Sequence, residues 1–595
     1  MKNKRDFRVA VTRRDFLRAG TAAGVGASIG GSIPASAAAA PPQSSSHGPD
    51  MFNEATIAQL QAAMASGRTT SVELTNFYLN RIRSIDEKQN GPGLNSIIEL
   101  NPDALDMARR ADDLRRRGRV LGPMHGIPIA LKDNVDTGDS MQTTAGSFAL
   151  AGRPAVRDST VAAKLRAGGA VILAKANLSE WANFRSFHST SGWSGRGGQC
   201  HNPYAIDRNP CGSSSGSGAA VSANLCTVSI ATETDGSIVC PAAFNGVVGI
   251  KPTVGLTSRA GVVPISHTQD TIGSHGRTVA DAAAVLTVIA SQTFDGRDPA
   301  TGGVPLGRRG ISTRPVLPTD YLQFVRTDGL RGARIGTTRQ GIDGIEPNTG
   351  RVFDAALAAM SAAGATLVDL DAGGFVFPPS DGEFLVLTFD FKVDLKNYFA
   401  TRIGVPVAGG TLADAIAFNE AHADEEMPFF AQEIFDLAES VDVSSPDAPQ
   451  PAFGGMTYNQ ALDIDQKAGA IDGIDAALTT FNLHAIAAPT GTPAFTTDLI
   501  NGDHFTFATS GLAATVGYPI VQVPMGNVFG LPVGISFIGT AFSEPTLIAL
   551  AAGFEHATKA RIVPGLFATL PLDNVKGVPL KKVPHGGGHK HHRFM

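Results

Sequence analysis

Several things that this 595-residue chain lacks narrow its class. It has no excess of basic residues: 49 Lys and Arg stand against 54 Asp and Glu, a net charge of −5. Nucleic-acid binding needs a basic face to meet the phosphate backbone, so no nucleic-acid partner is expected. Outside an N-terminal segment, no apolar run is long enough to cross a bilayer, and no stable membrane association is expected. Only four cysteines occur, Cys200, Cys211, Cys226 and Cys240. Their spacing fits no zinc site, and none belongs to a Cys/His nucleophile motif. Structural thiols, small buried hydrophobes, are the favoured reading, while an even count in an exported protein also permits disulfides, with three connectivities if all four pair. The Gly-rich turn Gly212–Gly218 lacks the Gly-Lys-Ser/Thr ending that a phosphate cradle needs, which excludes nucleotide binding. The spacings call for no metal or cofactor, and no repeat of 20–50 residues appears.

What is present reads as a globular enzyme. Hydrophobic residues make up 43%, charged residues only 17%, and 67 glycines imply many tight turns. Thr70 and Glu73 form a capping-box pattern ahead of Leu74, Phe77, Tyr78 and Ile82, and a further helix is predicted to start near Thr56. Short apolar runs at 127–131 and 170–174 read as buried strands, with helices at 160–167 and 280–289. Further strands are predicted at 330–335 and 365–370 around a helix at 349–363. A polar helical pair is expected over 414–437, and surface excursions at 291–319 and 443–455. The chain returns to strand at 485–488, 520–523 and 533–538. Alternation of this kind implies an α/β fold, one large domain with a central mixed twisted sheet and helices on both faces.

The ends read differently from the middle. Thr12-Arg13-Arg14-Asp15-Phe16-Leu17-Arg18 is a twin-arginine motif, followed by a mildly apolar Gly/Ala stretch and a small-residue cleavage site at Ala35-Ser36-Ala37. Residues 1–37 are therefore read as an export signal, which makes the twin-arginine machinery a partner and the periplasm or the exterior the destination. Removing them leaves a net charge of about −10. Residues 38–54 form a Pro/Ser-containing linker, 55–575 the catalytic domain, and 576–595 a His-rich tail. No carboxylate or cysteine completes a metal site in that tail.

The chemistry concentrates in three runs. His125-Gly126-Ile127-Pro128-Ile129-Ala130-Leu131-Lys132 places a lysine at the end of a buried strand, where desolvation favours the neutral amine that can accept a proton. Gly212-Ser213-Ser214-Ser215-Gly216-Ser217-Gly218 and Thr232-Glu233-Thr234-Asp235-Gly236-Ser237-Ile238 put Ser213 and Ser237 on separate tight turns. A hydroxyl needs a base to attack a carbonyl at neutral pH, and Lys132 with the two serines supplies a relay without histidine or metal. Gly236 permits dihedrals that let the backbone N–H groups of Thr234, Asp235, Gly236 and Ser237 converge on an oxyanion. Asp270 and Arg277 are read as a buried ion pair bracing these turns.

On these residues the chain resembles the amidase signature hydrolases, whose mark is a buried Lys-Ser-Ser triad with the middle serine in a cis peptide. The resemblance makes Lys132 the base, Ser213 the cis-serine and Ser237 the nucleophile, 24 residues apart. Asn177–Arg185, Ser191–Ser194, Gly197-Gly198-Gln199, Cys240–Ala243 and Gly517-Tyr518-Pro519 look like the bacterial peptide amidases. The likeness runs from about Ala55 to about Ala560. Acid-selective members of the family carry an arginine two or three residues after the nucleophile, where this chain has Val239 and Cys240. Without a guanidinium fork a carboxylate has no bidentate partner. The implied substrate is a neutral small-molecule or peptide amide, hydrolysed to acid and ammonia. The alternatives are a fatty-acid or aryl amide hydrolase or esterase with the same triad, and an inactive binding protein on the same fold.

Overall fold

The apolar run that ends in Lys132 becomes an interior strand because both of its faces are covered. In the computed structural model, which describes residues 49–89, 91–303, 314–342 and 346–570, it forms Pro128–Lys132, buried at every position. Eleven strands build one sheet. In chain order they are β1 (Ile97–Leu100), β2 (Pro128–Lys132), β3 (Val171–Ala176), β4 (Val228–Glu233), β5 (Val248–Lys251) and β6 (Thr271–Gly276). There follow β7 (Arg334–Thr337), β8 (Thr366–Asp369), β9 (Ala485–Pro489), β10 (Ile520–Val528) and β11 (Leu531–Ile538). They lie side by side as β1-β3-β2-β4-β6-β5-β10-β11-β9-β7-β8. β2 runs parallel to both neighbours, β3 and β4, while β4–β6, β6–β5, β5–β10 and β10–β11 are antiparallel. The sheet is mixed, as expected. The three C-terminal strands enter beside β5, so the chain forms a single domain.

Side chains on β6 show how the helices divide. Neighbouring residues of a strand point to opposite faces. Ser274 Oγ donates to Ala282 O (3.0 Å) in the helix Val279–Ile289, whereas the adjacent His275 Nε2 lies 2.9 Å from Ile238 O, just before the helix Val239–Phe244. The first helix packs against Glu544–Thr558, which also packs against Pro347–Ala362, on one face; the second packs with Ser215–Ser222 on the other. A third group of helices, Glu383–Phe399, Leu412–Ala421 and Glu433–Ser440, shares a core with Ala145, Trp181, Phe184, Val263 and Ile265. It therefore caps the loops that leave β2 and β3 and the loop that enters β6.

Most expected elements stand within a few residues of their places. The capping boxes at Thr56 and Thr70 are both formed. Two elements differ. The strand expected from 330 starts at Arg334, because Arg331 N–H closes a turn on Asp328 O and Gly332 takes a left-handed φ of 72°. The polar pair expected over 414–437 is three helices, Leu412–Ala421, Ala423–Glu426 and Glu433–Ser440. Pro428 lies in the break before the third and cannot donate to a continued helix. The export signal, residues 38–48 of the linker and the His-rich tail lie outside the described residues. No helix among the described residues is long and apolar enough to cross a membrane.

The helix Ser215–Ser222 is pressed against the ends of β1 and β3 through a glycine. A Cβ on Gly216 would fall 2.2 Å from Ser96 O and 2.6 Å from Asn177 O. Neither backbone atom can yield cheaply, so Gly216→Ala is expected to cost about 3 kcal/mol of stability. Chemical denaturation measures this, and an unchanged midpoint would contradict the close packing.

Candidate active site

Two parallel strands bring the first pair of polar groups together. Lys132 ends β2 and Thr232 lies one residue before the end of β4. The register Leu131↔Ile230 sets the two ends side by side. Lys132 is wholly buried, and its Nζ lies 2.7 Å from Ser213 Oγ, 2.8 Å from Thr232 Oγ1 and 3.3 Å from Thr232 O. Asn134 Nδ2 donates to the same Thr232 hydroxyl at 3.0 Å. No carboxylate takes part in this hydrogen-bonded group. Burial pulls the amine down from 10.5 to about 7, against the charges of Asp270 and Glu233, which favour the ammonium form. The drop amounts to roughly 5 kcal/mol against the charged form.

Ser213 follows a cis peptide bond from Gly212. A side chain at residue 212 would collide with Ser179 Oγ at 2.1 Å, so only glycine fits there. Ser179 N–H donates to Ser213 O (3.1 Å), and Ser214 Oγ donates to Thr232 O (3.0 Å), fixing the turn from both sides. The turn that carries Ser237 is drawn alongside by Ser214 N–H, which donates to Ser237 O at 3.3 Å. Ser237 retains 8% exposure, whereas Ser213 has none.

The second turn has its own supports. Buried Glu233 accepts from Ile238 N–H (2.7 Å) and Val239 N–H (3.0 Å), satisfying the start of the helix Val239–Phe244. Gly236 sits at φ 81°, and the N–H groups of Thr234, Asp235, Gly236 and Ser237 meet no acceptor among the described residues. Buried N–H groups are nearly always paired, so four consecutive free donors beside an accessible hydroxyl form an anion-receptive nest. Asp270 braces this turn. Its carboxylate accepts from Thr234 Oγ1 (2.6 Å), Ile265 N–H (2.9 Å) and Ser266 N–H (3.1 Å), while burial raises it to about 6.

Two expectations are corrected here. Asp270 and Arg277 form no ion pair. They flank β6 at opposite ends, about 20 Å apart at strand rise, and Arg277 donates instead to Val221 O, Cys226 O and Ala55 O. The cysteines are not all free either. Cys211 and Cys240 are joined, with Cα atoms 6.0 Å apart, because they border the two turns that converge; Cys200 and Cys226 remain buried thiols. Val239 and Cys240 occupy the first turn of the helix after Ser237.

Sequence reasoning missed three contributors. Thr232 holds Lys132, Glu233 caps the helix after Ser237, and His275 meets Ile238 O. Burial depresses His275 to about 4, so its ring is neutral. Thr232 and Glu233 lie within a motif that the sequence singles out, but which strand neighbours β2 is not written in either run.

A mixed α/β sheet with an amine–hydroxyl pair at its centre and a free-donor nest beside an accessible serine has the parts of a hydrolytic enzyme that works on carbonyl groups. The chain belongs to the amidase signature family: the Amidase family model matches residues 73–548, and the protein is an amide-hydrolysing enzyme. It is 40% identical over 523 residues to a protein of Arabidopsis thaliana named as a probable amidase, covering 87% of this chain and 92% of that one. Among solved structures, the native peptide amidase from Stenotrophomonas maltophilia is 44% identical with a TM-score of 0.77, covering 87% of this chain and 99% of the other. One glutamyl-tRNA(Gln) amidotransferase polypeptide of Chloroflexus aurantiacus is 32% identical over 513 residues, 85% of this chain and 96% of that one.

Proposed function

We propose that the protein is an exported amidase that hydrolyses neutral carboxamides, C-terminal peptide amides foremost, to acid and ammonia. One observation carries the chemistry: a fully buried Lys132 Nζ 2.7 Å from Ser213, with no carboxylate in its hydrogen-bonded group. In this reading Ser237 Oγ attacks the amide carbon. Its proton passes through Ser213 to neutral Lys132 and then to the leaving nitrogen, so ammonia departs as a neutral molecule. The N–H groups of Thr234, Asp235, Gly236 and Ser237 receive the developing oxyanion. Water, deprotonated by the same relay, then attacks the acyl-serine ester and releases the acid.

The likeness to peptide amidase supports the substrate, and so does the sequence just after the nucleophile. Where acid-selective relatives carry arginine, Val239 and Cys240 stand. Around Cys240 lie Tyr204, Phe244 and Leu531 in an apolar cluster with Phe495 and Phe505. A carboxylate bound next to Val239 and Cys240 would lose its water without gaining a guanidinium partner. The direct test is ammonia release from a neutral peptide amide and from malonamate. The peptide amide is expected to lead in kcat/KM by about tenfold or more. Ser237→Ala is expected to remove turnover of both with the fold intact, while Ser213→Ala and Lys132→Ala each lose several orders of magnitude without adding to each other. A preference for malonamate would overturn the substrate, and turnover by Ser237→Ala would overturn the nucleophile.

The pH profile follows from the same lysine. The neutral form accepts the proton, and it accumulates as pH rises through about 7. With chemistry rate-limiting, kcat/KM is expected to climb about tenfold per unit below that value and to level off above it. Above about 6 Asp270 is mostly ionised and favours the ammonium form. Asp270→Asn can keep Oδ1 on the two backbone N–H groups, so its acid limb is expected to move to lower pH. An unmoved limb would separate Lys132 from the rate.

Export rests on the sequence of residues 1–37. Changing Arg13 and Arg14 together to Lys is expected to hold the protein in the cytoplasm of a bacterial host with a twin-arginine system. Undiminished appearance in the periplasmic fraction would contradict this route.

A further inference from the structure

The two joined cysteines border the two turns on which the proposed chemistry depends. Cys211 precedes Ser213 by two residues, and Cys240 follows Ser237 by three. Each is anchored to its own turn. Cys211 N–H donates to Asn209 Oδ1 (2.7 Å) and Cys211 O accepts from Ser215 Oγ (2.6 Å). Cys240 N–H donates to Gly236 O at 2.8 Å, at the glycine of the free-donor nest. The disulfide thus joins the backbone segments that carry the two turns.

Several side-chain contacts also hold the two turns near each other: Ser214 Oγ donates to Thr232 O (3.0 Å), and Lys132 Nζ meets both Ser213 Oγ and Thr232 Oγ1. Their direct backbone link is the 3.3 Å bond from Ser214 N–H to Ser237 O. Farther back, buried Asn245 Nδ2 bridges Pro210 O (2.8 Å) and Pro241 O (2.7 Å). That bridge holds the two segments in the same region of the fold without the disulfide, which adds a covalent link between residues bordering the two serines. The joined cysteines are buried, though less completely than the two free ones. Cys211 and Cys240 keep 4% and 6% exposure, like Ser237 at 8%, while Cys200 and Cys226 have none.

We propose that the Cys211–Cys240 disulfide is a positioning element of the active site, so that the hydrolase works when oxidised and is held back when a dithiol reduces it. This rests on the reading of Ser237 as nucleophile. In the step, a thiolate of the dithiol attacks one sulfur, and the other cysteine leaves as a thiolate and takes a proton. The reductant's second thiol then closes on the mixed disulfide. Two electrons and two protons pass from the dithiol to Cys211 and Cys240. The loss falls on the chemical step, because a displacement of about 1 Å between reacting groups can lower the rate roughly a hundredfold. For an exported enzyme the switch lies at the passage from a reducing to an oxidising compartment.

The test uses purified enzyme before and after dithiothreitol, with alkylation in denaturant to count thiols. Two should react before reduction and all four after it. Three quantities are then compared: kcat and KM on a peptide amide, the labelling rate of Ser237 by a fluorophosphonate probe, and far-UV circular dichroism. The reduced enzyme is expected to lose about tenfold or more in kcat and in labelling rate, with KM and dichroism nearly unchanged, and to recover on reoxidation. The Cys211→Ser/Cys240→Ser double variant should match it and ignore reductant. If that variant does not fold, reduced wild type carries the comparison. Four reactive thiols with an unaltered kcat would overturn the proposal, as would a loss of kcat that only tracks lost dichroism. Failure of the oxidised enzyme to label at Ser237 would overturn the nucleophile reading, and this proposal with it.

Discussion

An amine taken wholly out of water is the constraint around which the rest is arranged. A buried ammonium is costly to solvate, and lysines are rarely buried without a partner or a task. Lys132 has hydroxyl partners and one backbone carbonyl, with Asp270 and Glu233 acting only through their charges. An adjacent carboxylate would hold the amine charged and unable to accept a proton. Hydroxyl partners serve either protonation state, since each can donate or accept. The strand order follows from this need. Parallel β2 and β4, side by side, bring Lys132 level with Thr232, and the turn after β4 carries Ser237 forward.

Around that centre the structure holds two short turns against each other while leaving their reacting faces free. Glu233 takes the N–H groups of Ile238 and Val239 but none of the four before them. His275 supports Ile238 from the sheet, and Asp270 supports Thr234 from the loop that the capping helices rest on. That loop is itself tied to the helix Glu383–Phe399, where Ser266 Oγ donates to Asp390 at 2.6 Å. The helical cap thus reaches the nest through three hydrogen bonds, Asp390 to Ser266, Ser266 to Asp270 and Asp270 to Thr234.

Much of this is legible in the sequence. Lys132 at the end of an apolar run, with Ser213 and Ser237 on Gly-rich turns, can be singled out because residue type and local pattern carry the signal. The sheet and most helices follow from periodicity and from caps such as Thr70 with Glu73. What cannot be read is pairing between distant segments. Thr232 becomes a partner of Lys132 only once β4 is known to neighbour β2. The opposite charges of Asp270 and Arg277 suggest a pair, yet an intervening strand keeps them apart. The cysteines read as thiols because nothing in their spacing tells that the turns beside Cys211 and Cys240 converge.

The central claim is that a neutral lysine, acting through Ser213, makes Ser237 the group that carries the acyl moiety. Trapping the intermediate tests it most directly. Enzyme turning over a peptide anilide or ester is quenched in acid, digested, and mapped by mass spectrometry. The account predicts an added acyl mass on the peptide that contains Ser237, absent after the substrate is exhausted. An acyl group found on Ser213 or elsewhere, or a burst of leaving group with no acylated peptide at Ser237, would contradict it.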